Sequence, residues 1–549
     1  MPTITLNKRV LESLMGKRIP PAQLQERISS LGVALEKIEG NEILLEVFPN
    51  RPDLLSEQGF ARALSSFLGI RPGLREYPVT PSKHIVIISP SVAAVRPYTA
   101  CALVQGLRLD DERIAEIIRI QEKLHGSYGR DRKRVAIGIY PFERITPPIT
   151  FQALPPDEIR FRPLDFSHAI TGREILAQHP AGRAYGSLLA GAEKYPVFTD
   201  AKGNVLSMPP IINSHETGRI DAETTDVFVE CSGFQYPVLQ ACLNIIVAAL
   251  ADMGGRIHSL EMHYGKTKRI SPDFTPRNVP LSLDYVNARL GLRLSEQDIP
   301  RLLAAMGHGY QKRSALVPAY RADILHQIDL VEDIAIAYGY GNLPPQAPLG
   351  ATVGSEDPFS RFQAKLAELL TGLGLLEVNT YHLISAAAQQ GMMCSSIPVV
   401  LLHNPSSKEY DSLRAWMLPS LLDVLARNTH HEYPQNLFDL GTAFRRGPTD
   451  TGVTEHQHLA VVLCGERANF TAIRQVMDYL LRMLGVGYQV RAMEHTSFIP
   501  GRVGEIYAAK TALGQMGEVH PQVLANFKLE MPVAGLEIDV SGLFSLLQK

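Results

Sequence analysis

Four carboxylates, Asp323, Asp329, Glu332 and Asp333, fall within eleven residues of the stretch "YRADILHQIDLVEDIAIAYGYGNLPP" at 320–345. Asp329, Glu332 and Asp333 stand at i, i+3 and i+4, so on a helix they share one face. Leu330, Ile334, Ala337 and Tyr338 turn a different face inward. Asp323 lies upstream, in an extended piece after Tyr320 and Arg321, from which it can fold back toward the other three. Carboxylate oxygens completed by water suit a hard cation such as Mg2+. The same residues have a plainer use. Asp329 and Glu332 match an Asp-x-x-Glu capping box, and acids in a first turn favour the positive end of the helix dipole. On the residues alone capping is the stronger reading, and the two can coexist.

Other chemistry-bearing stretches are weaker. "GRDRKRVAIG" carries Arg130, Arg132, Lys133 and Arg134. Such a run suits either nucleic-acid phosphates or a solvated entry to a strand. His456 and His458 of "EHQH" have no cysteine or acid at ligand spacing and are read as surface residues. "YGYGN" and "GLGLLE" do not sit at strand-to-helix turns and are not phosphate loops. The five cysteines are odd in number and none are at CxxC spacing, which predicts buried thiols in a reducing compartment.

These groups must be positioned by a chain of 549 residues, a length that predicts roughly three to four domains. Hydrophobic residues make up 45% and charged residues 20%, ordinary values for packed globular cores. With 54 Lys+Arg against 56 Asp+Glu the net charge is -2, which argues against a nucleic-acid coat or a membrane-surface protein but allows a local basic face. "MPTITLNKRVLESLMG" lacks a signal-peptide core. The most apolar stretch, "VLQACLNIIVAALADMGG", is interrupted by Asn244 and Asp252 and too short to span a bilayer. A cytoplasmic protein with no membrane partner is expected.

Hydrophobic periodicity predicts α+β architecture throughout. "TITL" and "NEILLEVFPN" read as strands around the helix "NKRVLESLMG". Asp53 is the expected N-cap of a following helix closed by Gly69. Residues 77–93 read as a linker containing a short strand "HIVIIS". Strands dominate 95–265, with a hairpin at the Lys-Gly-Asn turn of "TDAKGNVLS". Residues 268–347 form a compact unit of strand and helices. "PPQAPLGATVGSEDP" is a second linker, and long helices alternate with a largely antiparallel sheet to the end.

At this point the acidic stretch resembles the B5 domain of the phenylalanyl-tRNA synthetase beta-subunit family: an Asp, a second Asp six residues on, two acids nine and ten on, then Tyr-Gly-Tyr and Asn-x-x-Pro. "FPNRPDLLSEQGFARALSSFLG" resembles the family's N-terminal module. "RKRVAIGIYPFERITPPITF" and "NVLSMPPIINSHETGRI" resemble its B3/B4 domain in the archaeal and eukaryotic type. "HNPSSKEYDSLRAWMLPSLLDVLARNTHHEYPQNLFDLGTAF" and "LGQMGEVHPQVLANFKLEMPVAGLEIDV" resemble its C-terminal class II-like module. The ordered match over nearly the whole chain is specific, and the length also favours the archaeal/eukaryotic class. It implies a multidomain α+β fold: an N-terminal module at 1–76, a B3/B4 editing domain at 77–266, a B5 domain at 267–347, and a degenerate class II synthetase-like antiparallel-sheet module at 348–549.

The resemblance implies function as well. Asp323, Asp329, Glu332 and Asp333 become a Mg2+ site shared with an alpha subunit, with the acids facing outward. The B3/B4 domain is implied to hydrolyse tRNA(Phe) mischarged with tyrosine. An apolar pocket rejects an added hydroxyl only about 10²-fold, so a second, polar site is needed. The matching positions are Phe198, Ser207, Glu230 and Ser232. Archaeal relatives often carry Asp and Thr where this chain has Glu230 and Ser232. Read without the resemblance, Glu230 would be an exposed strand acid and the two serines turn residues. The C-terminal module offers Arg445 and Arg446 with no following acid, and Glu537 with no third-motif arginine. ATP use and aminoacylation are therefore expected of the alpha subunit, in an alpha2beta2 assembly that charges tRNA(Phe). The alternatives are a stand-alone tRNA-editing hydrolase and a non-catalytic scaffold for the alpha subunit.

Overall fold

The structure, a computed structural model, describes residues 2–347, 350, 352–509 and 511–548. The linker expected at 344–358 includes 348, 349 and 351, which lie outside the described residues. The chain divides into two units, Met1–Ala347 and Pro348–Lys549.

In the first unit, Thr3–Asn7, Glu42–Glu46 and Ala34–Glu39 form a three-stranded sheet in that spatial order. Asn7 ends its strand and caps the helix Lys8–Met15. The helix Glu57–Phe67 is buried almost all round. Its N-cap is Ser56, not the expected Asp53. Ser56 Oγ accepts from Gly59 N at 3.0 Å, whereas Asp53 sits in a preceding 3-10 turn and is held bidentately by Arg51 at 2.9 Å. Gly59 is needed there, because a Cβ would fall 1.9 Å from Asp53 O.

A ten-stranded sheet follows. Its order runs Ile212–Asn213, Val205–Met208, Tyr195–Thr199, Ile149–Leu154, Val79–Ile88, Arg256–Tyr264, Tyr98–Gln105, Val227–Gly233, Val135–Pro141, with Thr267–Ser271 beside Arg256–Tyr264. The segment read as a linker is thus a central strand, Val79–Ile88, paired in parallel on both sides. Its one proline, Pro81, is tolerated because it sits where the register shifts, between the pairs Ser259↔Pro81 and Glu261↔Ile85. Strand Thr267–Ser271 carries this sheet past the boundary expected at 266. Along Val227–Gly233 the faces alternate: Val227, Val229 and Cys231 enter one core. Phe228 enters another, on the face that also carries Glu230 and Ser232.

The acidic stretch belongs to a smaller part. There the sheet order is Arg277–Pro280, Ser314–Val317, Gly309–Gln311, flanked by helices Leu283–Leu290, Asp298–Ala305 and Gln327–Tyr338. Arg62 joins the parts of this unit. Its side chain is 6% exposed, bonds Asp252 at 2.5 Å and Tyr77 Oη at 2.8 Å, and lies 4.1 Å from the Tyr320 ring centroid.

The second unit is a seven-stranded sheet ordered Leu376–Glu377, Gln435–Arg446, Val453–Cys464, Val533–Asp539, Thr511–Val519, Phe498–Ala508, Tyr488–Ala492. All neighbours are antiparallel except the first pair. Apolar cores lie on both faces, in keeping with the α+β expectation. Among the described residues no helix is long and apolar enough to cross a membrane, and all five cysteines are free, four of them buried.

The interior of this sheet holds an ion pair. Arg414, 1% exposed, donates to Thr442 O at 2.6 Å, Thr380 Oγ1 at 2.6 Å and Asp439 Oδ2 at 3.2 Å. A Cβ on Gly441 would meet Arg414 Nη2 at 2.2 Å, so that glycine makes room for the guanidinium. Removing one member strands a buried charge. Arg414→Ala is expected to cost this unit about 3–5 kcal/mol. The measurement is urea unfolding followed by the fluorescence of Trp416, the sole tryptophan and 3% exposed.

Candidate functional site: a cavity over a buried acid and a paired acidic cluster

A cavity of about 520 Å³ lies where the ends of the ten-stranded sheet approach each other, and Ser207, Glu230, His125, Arg132 and Asn213 help to line it. Arg132, from the loop before Val135–Pro141, donates to the carbonyls of Pro210 and Ile211 at 3.2 and 2.8 Å. Tyr140, on the sheet's last strand, donates to Ser207 Oγ at 2.7 Å, on its second strand from the other end. Arg132 also bonds Glu122 and lies 4.2 Å from the Tyr185 ring centroid. It is therefore part of the cavity wall, and not a free member of a basic run.

Glu230 is 2% exposed, which excludes an exposed strand acid. Its Oε1 lies 3.2 Å from Tyr140 Oη, and among the described residues its Oε2 makes no hydrogen bond of normal geometry, the Ser232 hydroxyl being its polar neighbour. Burial pushes its carboxyl up to about 8, against the opposing pull of Arg96, Tyr140 and the Ser232 hydroxyl, so at neutral pH it is held largely as the acid. Ser232 lies behind it. The Ser232 hydroxyl accepts from Arg96 Nε at 3.1 Å, and its carbonyl accepts from Arg96 Nη2 at 2.7 Å. Burial lowers the Arg96 guanidinium to about 10. Phe198 pairs across from Ser207 but is wholly buried, stacked on Phe151 at 4.3 Å, and does not line the cavity. The cavity thus brings together two of the four expected residues, Ser207 and Glu230.

His125, Arg96 and Tyr140 are site residues that sequence reasoning missed. His125 Nε2 accepts from Ile137 N at 2.9 Å and Nδ1 lies 3.2 Å from Glu122. Burial lowers its pKa, and both nitrogens are engaged, so it serves as a neutral wall and not as a base. Tyr140 had a usable signal. In "VAIGIY" the residues Ala136, Gly138 and Tyr140 share a strand face, and a glycine two positions from an aromatic marks close approach. A Cβ on Gly138 would lie 2.0 Å from Tyr140 Oη and 2.7 Å from Glu230 Oε1.

The acidic cluster is arranged differently from the outward-facing patch expected. All four acids line one pocket of about 320 Å³ together with Gly32, Phe48, Asn50, Arg51 and Leu54 of the N-terminal part. Asp323 is held bidentately by Arg321 at 2.8 and 2.7 Å. Asp333 Oδ2 accepts from Arg321 Nη2 at 2.8 Å and from His308 Nε2 at 2.6 Å. Burial alone would raise Asp333; the Arg321 guanidinium and the His308 bond outweigh it and hold the carboxyl well below the usual range. The capping box is also shifted by three residues. His326 is the N-cap of Gln327–Tyr338, and Asp329 is its third-position partner, accepting from Leu325 N and His326 N at 2.7 and 2.8 Å. Glu332 is exposed and accepts from Tyr340 Oη at 2.7 Å.

Among the described residues the hydrogen bonds of Asp329 fall on Oδ2 and that of Glu332 on Oε1, which leaves one oxygen of each, and their hard-donor chemistry fits Mg2+. Asp323 and Asp333 are already matched by Arg321. Among the described residues no group of three or more His, Cys, Asp or Glu side chains is close enough to hold a metal ion.

In the second unit, Arg445 and Arg446 are exposed at the end of a strand. Glu537 is fully engaged. Its Oε2 accepts from Met417 N and Leu418 N at 2.9 and 3.0 Å, where helix Leu418–Arg427 begins, and its Oε1 lies 2.8 Å from His458 Nδ1. His458 is therefore buried, in contrast to the surface position expected of it.

Comparison with known proteins identifies the family. The family described as "tRNA synthetase B5 domain" matches residues 279–340, and "Phenylalanyl tRNA synthetase beta chain CLM domain" matches 343–540. The phenylalanine–tRNA ligase beta subunit of Thermococcus gammatolerans is 40% identical over 99% of both chains. That of Pyrococcus furiosus is 39% identical over 99% of this chain and 100% of its own. The crystal structure of an N-terminal fragment of the phenylalanyl-tRNA synthetase beta subunit from Pyrococcus horikoshii superposes with a TM-score of 0.59 at 37% identity, covering 61% of this chain and 99% of the fragment. By end-to-end identity and by matching domains over both units, the chain belongs to the phenylalanine–tRNA ligase beta-subunit family.

Proposed function

We propose that this chain works as the beta subunit of a phenylalanine–tRNA ligase, assembled with an alpha subunit as alpha2beta2 in the cytoplasm and acting on tRNA(Phe) with ATP and Mg2+. The end-to-end similarity to named beta subunits supports that role. The side chains support a division of labour. In the second unit Glu537 binds backbone amides and His458, and Arg414 fills the sheet interior with Asp439. Neither is free for ATP, so adenylate formation falls to the alpha subunit. The four-part division at 76, 266 and 347 is part of this reading, with the B3/B4 sheet continuing to Ser271.

The second activity proposed is hydrolysis of mischarged Tyr-tRNA(Phe) in the B3/B4 cavity. The observation that carries it is Glu230 Oε2, a buried polar atom that makes no hydrogen bond of normal geometry among the described residues, on a residue lining that cavity. A buried unpaired oxygen is costly unless a ligand or water meets it. A tyrosine hydroxyl can do so and phenylalanine cannot, the asymmetry that lets a polar site discriminate strongly. Ser207 is placed to bond the same hydroxyl, with Ser232 and Arg96 fixing the strand behind. At the acidic cluster, Asp329 and Glu332 would hold Mg2+ from this chain. The ion would supply charge neutralisation at the subunit contact, while Asp323 and Asp333 keep Arg321 buried.

Three outcomes are expected. In the assembled enzyme, Glu230→Ala lowers the deacylation rate of Tyr-tRNA(Phe) at least tenfold and lets Tyr-tRNA(Phe) accumulate; an unchanged rate removes Glu230 from the site. Glu230 also imposes a pH dependence on folding. Between about 4.5 and about 8 the native state holds a proton that the unfolded chain has lost, so stability falls as pH rises through that window. Glu230→Gln should therefore gain on the wild type by a few kcal/mol in order of magnitude from pH 5 to pH 9, read from denaturant unfolding at both pH values. Finally, Asp333→Ala should cost about 3–5 kcal/mol by stranding Arg321. Glu332→Gln should change stability by less than about 0.5 kcal/mol, as at an exposed site. Equal losses would show the two acids acting as one structural network.

A further inference from the structure

Tyr140 presents an arrangement that the editing reading does not use. Its ring is wholly buried and packs in the same core as Phe228, with ring centroids 5.8 Å apart. Its hydroxyl lies 2.7 Å from Ser207 Oγ and 3.2 Å from Glu230 Oε1. Tyr140 is not among the residues lining the cavity, whereas Ser207 and Glu230 both are. The strand gives up a side chain to allow this, since any Cβ on Gly138 would collide with Tyr140 Oη and Glu230 Oε1.

A phenol has one hydrogen and two neighbours here. The shorter contact takes the larger share, so Tyr140 donates chiefly to Ser207 at 2.7 Å and more weakly to Glu230 Oε1 at 3.2 Å. Ser207 Oγ, once it has accepted that bond, carries its own hydrogen in another direction. Glu230, with Oε1 turned to the phenol, presents Oε2 as an acceptor. The hydrogen bonds thus run outward from Tyr140 Oη to Ser207 Oγ and Glu230 Oε1, and leave two groups of opposite type. A substrate hydroxyl needs both: it donates to one and accepts from the other.

We propose that Tyr140 is a specificity-determining positioning residue, whose phenol orders Ser207 as the donor and Glu230 Oε2 as the acceptor for a hydroxyl on the aminoacyl group. This rests on the editing reading and deepens it. Without the Tyr140 hydroxyl, Ser207 can rotate to bond its own surroundings and the matched pair is lost. The cavity itself remains, because the ring still fills the core.

The test uses the assembled enzyme with Tyr-tRNA(Phe) and Phe-tRNA(Phe), and reads the ratio of their kcat/KM values for deacylation. That ratio is independent of how much enzyme is folded. Tyr140→Phe should lower the ratio about 10- to 100-fold, the range for losing one ordered hydrogen bond to a substrate hydroxyl. If Tyr140 acts through Ser207, the double variant Tyr140→Phe/Ser207→Ala should be no worse than Ser207→Ala alone. An unchanged ratio in Tyr140→Phe, or fully additive losses in the double variant, overturns the role of Tyr140 while leaving the editing reading intact. A wild-type enzyme that deacylates neither substrate overturns both.

Discussion

The constraint on which the site depends is the burial of Glu230. Moving a carboxyl group out of water is unfavourable unless it is neutralised or bonded. This chain does both, and neither completely. Burial holds the acid largely protonated, Tyr140 meets one oxygen, and Arg96 lies near enough to oppose the shift. The other oxygen makes no hydrogen bond of normal geometry among the described residues. The surrounding architecture follows from that group. Gly138 has no side chain because Glu230 and Tyr140 occupy its space. The ends of the ten-stranded sheet are drawn together by the Tyr140–Ser207 bond and by Arg132 on Pro210 and Ile211. What results is a cavity whose wall mixes isoleucines such as Ile117, Ile137 and Ile211 with the polar groups of His125, Arg132, Ser207 and Glu230, so that a ligand there meets apolar packing and a few placed polar atoms together.

Buried charge elsewhere in the chain is used to build. Arg321 is buried between Asp323 and Asp333, with His308 completing Asp333. Arg51 and Asp53 make a second pair on the facing N-terminal part. Arg62 links Asp252, Tyr77 and the Tyr320 ring. Such pairs add little net stability over apolar packing, but each partner becomes indispensable once the other is buried. This answers why carboxylates gather beside a helix that is itself core. Two of the four are counter-ions for a buried arginine, one caps the helix, and one is exposed. In the second unit Arg414 and Glu537 show the same economy, with charged groups converted into internal scaffolding.

Much of this was legible in the sequence. Helix and strand periods, the hairpin at "TDAKGNVLS" and the α+β character follow from local pattern, and the family from ordered motifs. What escaped was set by tertiary partners. Val79–Ile88 looked like a linker because its first residues include proline and serine, yet a register shift accommodates Pro81 in a central strand. Asp53 looked like a cap because its counter-ion Arg51, two residues away, has no helical signature. The capping box moved by three residues because His326, an uncommon cap, supplied the N-terminal acceptor. Glu230 and His458 read as exposed because a charged residue on a strand usually is; their partners, Tyr140 and Glu537, lie 90 and 79 residues away. Long-range pairing of this kind leaves no local pattern, and only the glycine of "VAIGIY" hinted at it.

The central claim is that the cavity over Glu230 receives the side chain of a tyrosyl group and reads its hydroxyl. The most direct measurement is a crystal structure of the assembled enzyme bound to a non-hydrolysable amide analogue of 3′-tyrosyl-adenosine, with the phenylalanyl analogue as the comparison. The account predicts the phenol oxygen within hydrogen-bond distance, roughly 2.6–3.2 Å, of Glu230 Oε2 and Ser207 Oγ, and weaker or no occupancy for the phenylalanyl analogue. A tyrosyl ring bound elsewhere, or both analogues seated alike with Glu230 Oε2 unpaired, would contradict it.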